Sequence, residues 1–411
     1  MKEILEKYAR LVIRTGVNLQ KNQLLVINSP IECAAFARKI AAAAYESGAR
    51  DVIVSWSDEK LAKIRFTMAP EEIFAEFPEW RKQLYVGYAR EEAAFVSILA
   101  SNPEIFKDVA PQRLAMVQQA TGEALKEYRQ RMMTNKNAWC VVSVPTTDWA
   151  KKVFPEDAPS LAVKKLWQAI LQTIRVDETG DPVKQWEEHL AYLEKARVFM
   201  NEKKFKFLHY KNSMGTDLQI ELPAKHIWAS GAEYTDKRIR FVANMPTEEV
   251  YTLPKYDGVN GTVVSTKPLN YNGSLIEGIV LTFREGEVVD YKATKGQDML
   301  RQLLSMDGGA CRLGEVALVP DASPISQSGI LFYNTLFDEN ASCHLAFGKA
   351  YPTCLENGEN MNPEELDAAG VNESLIHEDF MIGSADLEIT GTTADGRELP
   401  IFRKGNFVEF A

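Results

Sequence analysis

The chain has 411 residues, 45% of them hydrophobic, with 47 basic side chains against 57 acidic ones and a net charge of −10. That length suits two domains with ordinary cores, and the acidic balance, with basic residues only in scattered pairs such as Lys151-Lys152 and Lys203-Lys204, excludes a nucleic-acid binder. Five cysteines (Cys33, Cys140, Cys311, Cys343, Cys354) without C-x-x-C spacing exclude a disulfide framework and a thiolate zinc site, and no run approaches the ~20 apolar residues of a membrane span.

Ile4, Leu5, Tyr8, Leu11 and Val12 follow helical spacing up to Gly16, and this N-terminus lacks the continuous apolar core of a signal peptide. A cytoplasmic protein is therefore expected. Leu24-Leu25-Val26-Ile27 reads as a strand buried on both faces, followed by an Ala-rich helix from about Ile31 to Ser47. Val52-Ile53-Val54, the run 94–99 and the run 139–144 predict further buried strands with helix between them. That alternation predicts a mostly parallel sheet flanked by helices. No G-x-G-x-x-G or G-x-x-x-x-G-K-[ST] occurs, and Asn28-Ser29-Pro30 after the first strand offers no glycine, so no nucleotide site is expected.

Residues 160–199 read as two helices separated by Gly180-Asp181-Pro182. Beyond Lys203 the pattern changes to short strands at 207–210, 218–222, 261–264 and 279–283, with Arg284-Glu285-Gly286-Glu287 as a hairpin turn. The expected organisation is an α/β N-terminal domain over 1–200 and an α+β, β-rich C-terminal domain over 201–411.

Three stretches of the second domain carry chemistry. Glu248-Glu249 would point to opposite faces of an extended chain, so one of them faces inward. DENASCH sets Glu339 and His344 five residues apart, which requires a turn to bring them together. In His377-Glu378-Asp379 a strand would put His377 and Asp379 on one face and Glu378 on the other, a workable pair of metal ligands. By spacing alone these remain equally readable as surface carboxylates and hydrogen-bonded structural pairs. Glu315, in RLGEVALVP, reads as the edge of a strand.

Taken in order, NMPTEEVYTLP, GACRLGEVALVP, LFDENASCHLAFGKAYP and NESLIHEDFMIGSADLEI resemble the metalloaminopeptidases of the aminopeptidase T / aminopeptidase S family, the thermophilic metalloproteases. The resemblance extends over nearly the whole chain. It implies a two-metal peptidase that acts on peptides with a free N-terminus, works as a homodimer, and carries its catalytic site in the C-terminal domain. It assigns Glu249, Glu315, Glu339, His344, His377 and Asp379 as metal ligands, with Glu315 bridging, Glu248 an outward neighbour, and Tyr351 a catalytic residue beside the metals. Two divalent ions (Zn, Co, Mg or Mn) would carry +4 against the −4 of the four carboxylates, a balance that a buried site requires. Water activated between them would hydrolyse the peptide bond, with Glu339 a candidate base. Two other readings remain: a two-metal hydrolase of another amide or ester bond, and a non-catalytic metal-stabilised binding protein whose ligand shell is closed.

Overall fold

Leu25, Val26 and Ile27 lie wholly inside the protein, at the centre of its first sheet. The structure is a computed structural model and describes residues 2–271 and 274–409. Its chain divides into two units, one comprising Met1–His189 with Ala232–Pro246, the other Leu190–Gly231 with Thr247–Ala411.

The first unit is built on four parallel strands: β1 (Leu24–Pro30), β2 (Asp51–Ser57), β3 (Ala94–Leu99) and β4 (Trp139–Ser143), in the order β2-β1-β3-β4. Parallel neighbours need crossovers, and helices such as Ala34–Glu46, Glu79–Arg90 and Pro111–Ala124 supply them. The sequence places one chain crossing near residue 200, whereas 232–246 returns to the first unit. It does so because its backbone completes hydrogen bonds beside β4: Val141 N donates to Ala243 O at 2.7 Å and Met245 N to Val141 O at 3.0 Å. Ladder groups at a sheet edge need such partners, and this short segment lacks the apolar run that would announce it.

The second unit holds two large antiparallel sheets besides the short pair Leu269–Tyr271 and Ser274–Ile276. One is a meander of β5 (Ala229–Ser230), β6 (Val250–Thr252), β7 (Leu313–Leu318), β8 (His344–Gly348) and β9 (His377–Met381), each strand beside the next. The other runs, across its width, Glu287–Lys292, Val280–Arg284, Val259–Val264, Asp217–Glu221, Phe205–Lys211, Glu388–Thr393, Glu398–Arg403 and Asn406–Phe407. Val316, Leu318, Leu345, Phe347 and Phe380 from the meander join Leu208, Tyr210, Leu218, Ile220, Leu281 and Ile389 from the larger sheet in one apolar core. The side-chain period of two then turns the alternate residues of β7, β8 and β9 to the opposite face. Register aligns Glu315 with Ala346 and Ala346 with Asp379, and beside that row Ala317 with His344.

The expected hairpin turn is present, with Glu285 at φ 50° and Gly286 at φ 82°, both left-handed as a tight two-residue hairpin requires. A Cβ on Gly286 would fall 1.8 Å from the Tyr256 carbonyl oxygen, which is backbone and cannot swing away. Gly286→Ala is expected to destabilise the chain by roughly 2–3 kcal/mol or more, the strain of a left-handed residue plus that contact. Urea unfolding checks this, and a loss under about 0.5 kcal/mol, an ordinary surface effect, would contradict it.

Candidate metal centre

Every residue of β7 and β8 is buried, Glu315 and His344 among them. Ionisable groups survive in such strands only when paired with each other or with a metal. A bulge aims Glu315. The register of β7 against β8 shifts between Leu313 and Glu315, so Leu313 enters the apolar core while Glu315, two residues on, faces the other way. Gly314 makes this close approach: a Cβ there would stand 2.3 Å from Gly348 O and 2.5 Å from Lys349 O. Ala346, between Glu315 and Asp379 in the register, contributes only a methyl group and leaves room above the sheet.

The two oxygens of Glu315 face two different sets of partners. Oε1 lies 3.6 Å from His344 Nε2, which is itself 3.3 Å from Glu249 Oε2. Oε2 lies 3.3 Å from His377 Nε2, which is 3.6 Å from Asp379 Oδ1. Glu249, Glu315 and His344 thus form one set, and Glu315, His377 and Asp379 a second, with the ligand atoms of each within 4.8 Å of one another. Buried Asp379 Oδ1 has no hydrogen-bond partner. Among the described residues, the centre's ion pairs run only between carboxylates and imidazoles, with no Lys or Arg. An orphaned carboxylate oxygen in a nitrogen-and-oxygen donor set without organic cations fits divalent metal ions.

Both imidazoles are fixed from behind. His344 Nδ1 lies 3.1 Å from Ser342 O, and His377 Nδ1 lies 2.7 Å from Lys349 O. With Nδ1–H donated to a carbonyl, Nε2 is left as the coordinating atom. Tyr351, half-buried, sets its ring 4.8 Å from that of His377. Glu339 opens the 3₁₀ turn Glu339–Ala341 that precedes β8, the bend that the spacing of DENASCH requires. It stands outside both sets but within electrostatic reach of Glu249, Asp379, His344 and Glu315. Glu248, expected to face outward, is buried as well. Strand geometry does not apply to it, because β6 begins only at Val250.

Burial acts on every group here, and neighbours decide its outcome. Burial pushes Glu315 upward, but hydrogen bonds from His344 and His377 outweigh it and bring the carboxyl down to about 2. Burial works against a charged His377, yet the Glu315 hydrogen bond and the Asp379 charge push it up to about 10, and His344 is raised by the same kinds of partner. Burial, and then repulsion from Glu249 and Asp379, lifts Glu339 well above the usual carboxylate range. Glu249 and Asp379 are raised too, burial first. Tyr351 is raised by burial and then by the Glu315 and Asp379 charges.

A cavity of 220 Å³ adjoins the centre, lined by Glu339, His377 and Asp379 and by Leu269, Leu331 and Tyr333. Sequence reasoning passed over the supports of this centre. Ser342 O and Lys349 O are main-chain atoms that no residue type announces. Gly314 and Ala346 act by being small.

Metal binding must displace the protons held here. The His377 pKa is raised to about 10, so this imidazole is protonated at pH 7.5 in the metal-free protein, and a ligand imidazole must be neutral; His344 is shifted in the same direction. Zn²⁺ uptake at pH 7.5 is expected to release protons and to tighten as pH rises toward 10, the His377 value. Calorimetric titrations in two buffers of different ionisation enthalpy count them. Binding without proton release would contradict this electrostatic picture.

A family model described as thermophilic metalloprotease (M29) matches residues 1–407. The chain is 51% identical over 403 residues to Aminopeptidase 2 of Geobacillus stearothermophilus, spanning 98% of this chain and 97% of that one. It is 48% identical to Aminopeptidase AmpS of Bacillus subtilis (strain 168), over 98% of each. Among solved structures, wild-type AmpT from Thermus thermophilus matches with a TM-score of 0.93 at 39% identity, over 99% of this chain and 100% of that one. With relatives this similar over nearly its full length, the chain belongs to the thermophilic metalloprotease (M29) family.

Proposed function

We propose that the chain is a dinuclear metal-dependent aminopeptidase that releases N-terminal amino acids from peptides. Glu249, Glu315, Glu339, His344, His377 and Asp379 would hold two divalent ions, with Glu315 standing in both candidate sets. The observation that carries this reading is the division of Glu315, one oxygen toward His344 and the other toward His377. Such ions, when bound, supply polarisation of the scissile carbonyl and a water acidified toward neutral pH.

The chain's own groups do the rest. Tyr351, with a raised pKa, keeps its proton at neutral pH and donates it as a hydrogen bond to the oxygen on which charge develops. Glu339, whose affinity for protons is raised, takes a proton from the attacking water and returns it to the leaving amine. The surplus of carboxylate over histidine receives the α-ammonium of the substrate. The 220 Å³ cavity falls below the ~300–1,000 Å³ of pockets for drug-sized ligands, which suits one side chain better than a stretch of peptide. Nitrogen and carboxylate oxygen donors accommodate Zn²⁺, Co²⁺, Mn²⁺ or Mg²⁺. The same reading, on the family resemblance, has the chain act in the cytoplasm as a homodimer.

The test is release of p-nitroaniline from aminoacyl-p-nitroanilides by the metal-stripped protein, with and without added Co²⁺, Zn²⁺ or Mg²⁺. Activity is expected only with metal, and N-acetylated substrates are expected to resist. Equal cleavage of blocked and free substrates would remove the aminopeptidase assignment. Metal uptake without any hydrolysis would favour a closed, non-catalytic shell. Glu315→Gln is expected to lower kcat/KM by at least about 10³-fold while weakening metal uptake, because the charge and one shared oxygen go together.

A further inference from the structure

Four of the six proposed ligands sit on strands, where the hydrogen-bond ladder sets their spacing: Glu315 on β7, His344 on β8, His377 and Asp379 on β9. Glu249 and Glu339 do not. Glu249 immediately precedes β6, and Glu339 stands on a 3₁₀ turn. Something else must hold these two segments together.

Asn340 lies between them, fully buried. Its side-chain Oδ1 accepts from the main-chain N–H of Glu248 at 2.8 Å, one residue before Glu249. Its Nδ2 donates to Glu339 Oε1 at 3.3 Å and to Leu336 O, also at 3.3 Å. One amide therefore ties the backbone that carries the first carboxylate to the carboxylate of the second, and to the helix Thr335–Asp338 that leads into the turn through its preceding residue pattern. Only a side chain with both a donor and an acceptor at this length does both.

We propose that Asn340 is a positioning residue of the metal centre. It restrains Glu339 through Oε1, so that this carboxylate is presented with its second oxygen toward the centre, and it fixes the approach of the Glu249 segment. The inference rests on the two-metal reading above. It differs from a purely structural role because the second set, Glu315, His377 and Asp379, stands wholly on strands that Asn340 does not tie, whereas loosened packing would disturb both sets.

The experiment is a calorimetric titration of the metal-free, full-length protein with Zn²⁺, with urea unfolding of each metal-free variant alongside. Asn340→Ala removes both bonds and is the harsher change. Asn340→Ser is neutral but too short to reach both partners, and is the milder change. Parent protein is expected to bind two ions. In Asn340→Ser one ion is expected to weaken by about 10–100-fold, the usual range for losing an outer partner of a ligand, while the other stays within a few-fold. Two ions bound as in the parent would overturn the inference, as would equal weakening of both. Should Asn340→Ala fail to fold, the Ser variant still decides. Parent protein that binds no Zn²⁺ would overturn the metal reading and this inference together, so the two failures are distinguishable.

Discussion

One carboxylate placed inside a fully buried strand governs the rest of this unit. Glu315 cannot be left in an apolar interior unpaired, and its neighbours are arranged so that each oxygen meets a different imidazole. Everything near it serves that division. The bulge at Gly314 turns it off the core face, Ala346 clears the space beside it, and two carbonyls orient the rings that face it. Among the described residues the remaining carboxylates meet imidazoles but no Lys or Arg, and carboxylates outnumber imidazoles, a balance suited to inorganic cations.

The meander of five strands is a precise support for such a centre. Antiparallel pairing over one buried face keeps register strict although the chain between these strands is long, so away from the bulge a residue's face follows from its parity. His377 and Asp379 share a face for that reason, and Phe380 beside them goes to the core. The ligands that arrive from outside the ladder need other restraints, and a buried amide serves where main-chain pairing stops.

The sequence carried the repeating parts of this protein clearly. Continuous apolar runs marked the parallel strands; β1 and β3, inside the sheet, are largely buried, whereas the edge strand β2, expected to be buried, is only half-buried, and Glu285-Gly286 marked its hairpin because few residues accept positive φ twice in succession. His-x-Asp on one strand face followed from a period of two. Glu315 was opaque to local reading: in LGEVAL it shares parity with Leu313, and only the bulge, which appears in pairing with another strand, separates their faces. The burial of Glu248 was opaque for the same reason, since it depends on Asn340, 92 residues away. The wording of four ordered motifs supplied what spacing could not.

Composition has a physical reading in this light. The chain has five histidines, and only His344 and His377 stand in the two candidate sets, where carboxylates are the majority. Burial first, and repulsion between neighbouring carboxylates after it, raises the proton affinity of Glu249, Glu339 and Asp379 and opposes the fully ionised state. The same crowding strengthens attraction to a divalent cation, because the repulsion is relieved when it binds. A centre built this way is strained toward protonation when bare and relaxed when loaded, so protons and metal compete for the same oxygens. Glu315 is the exception. Held at about 2 by its two imidazoles, it is the one carboxylate of this group whose partners outweigh its burial.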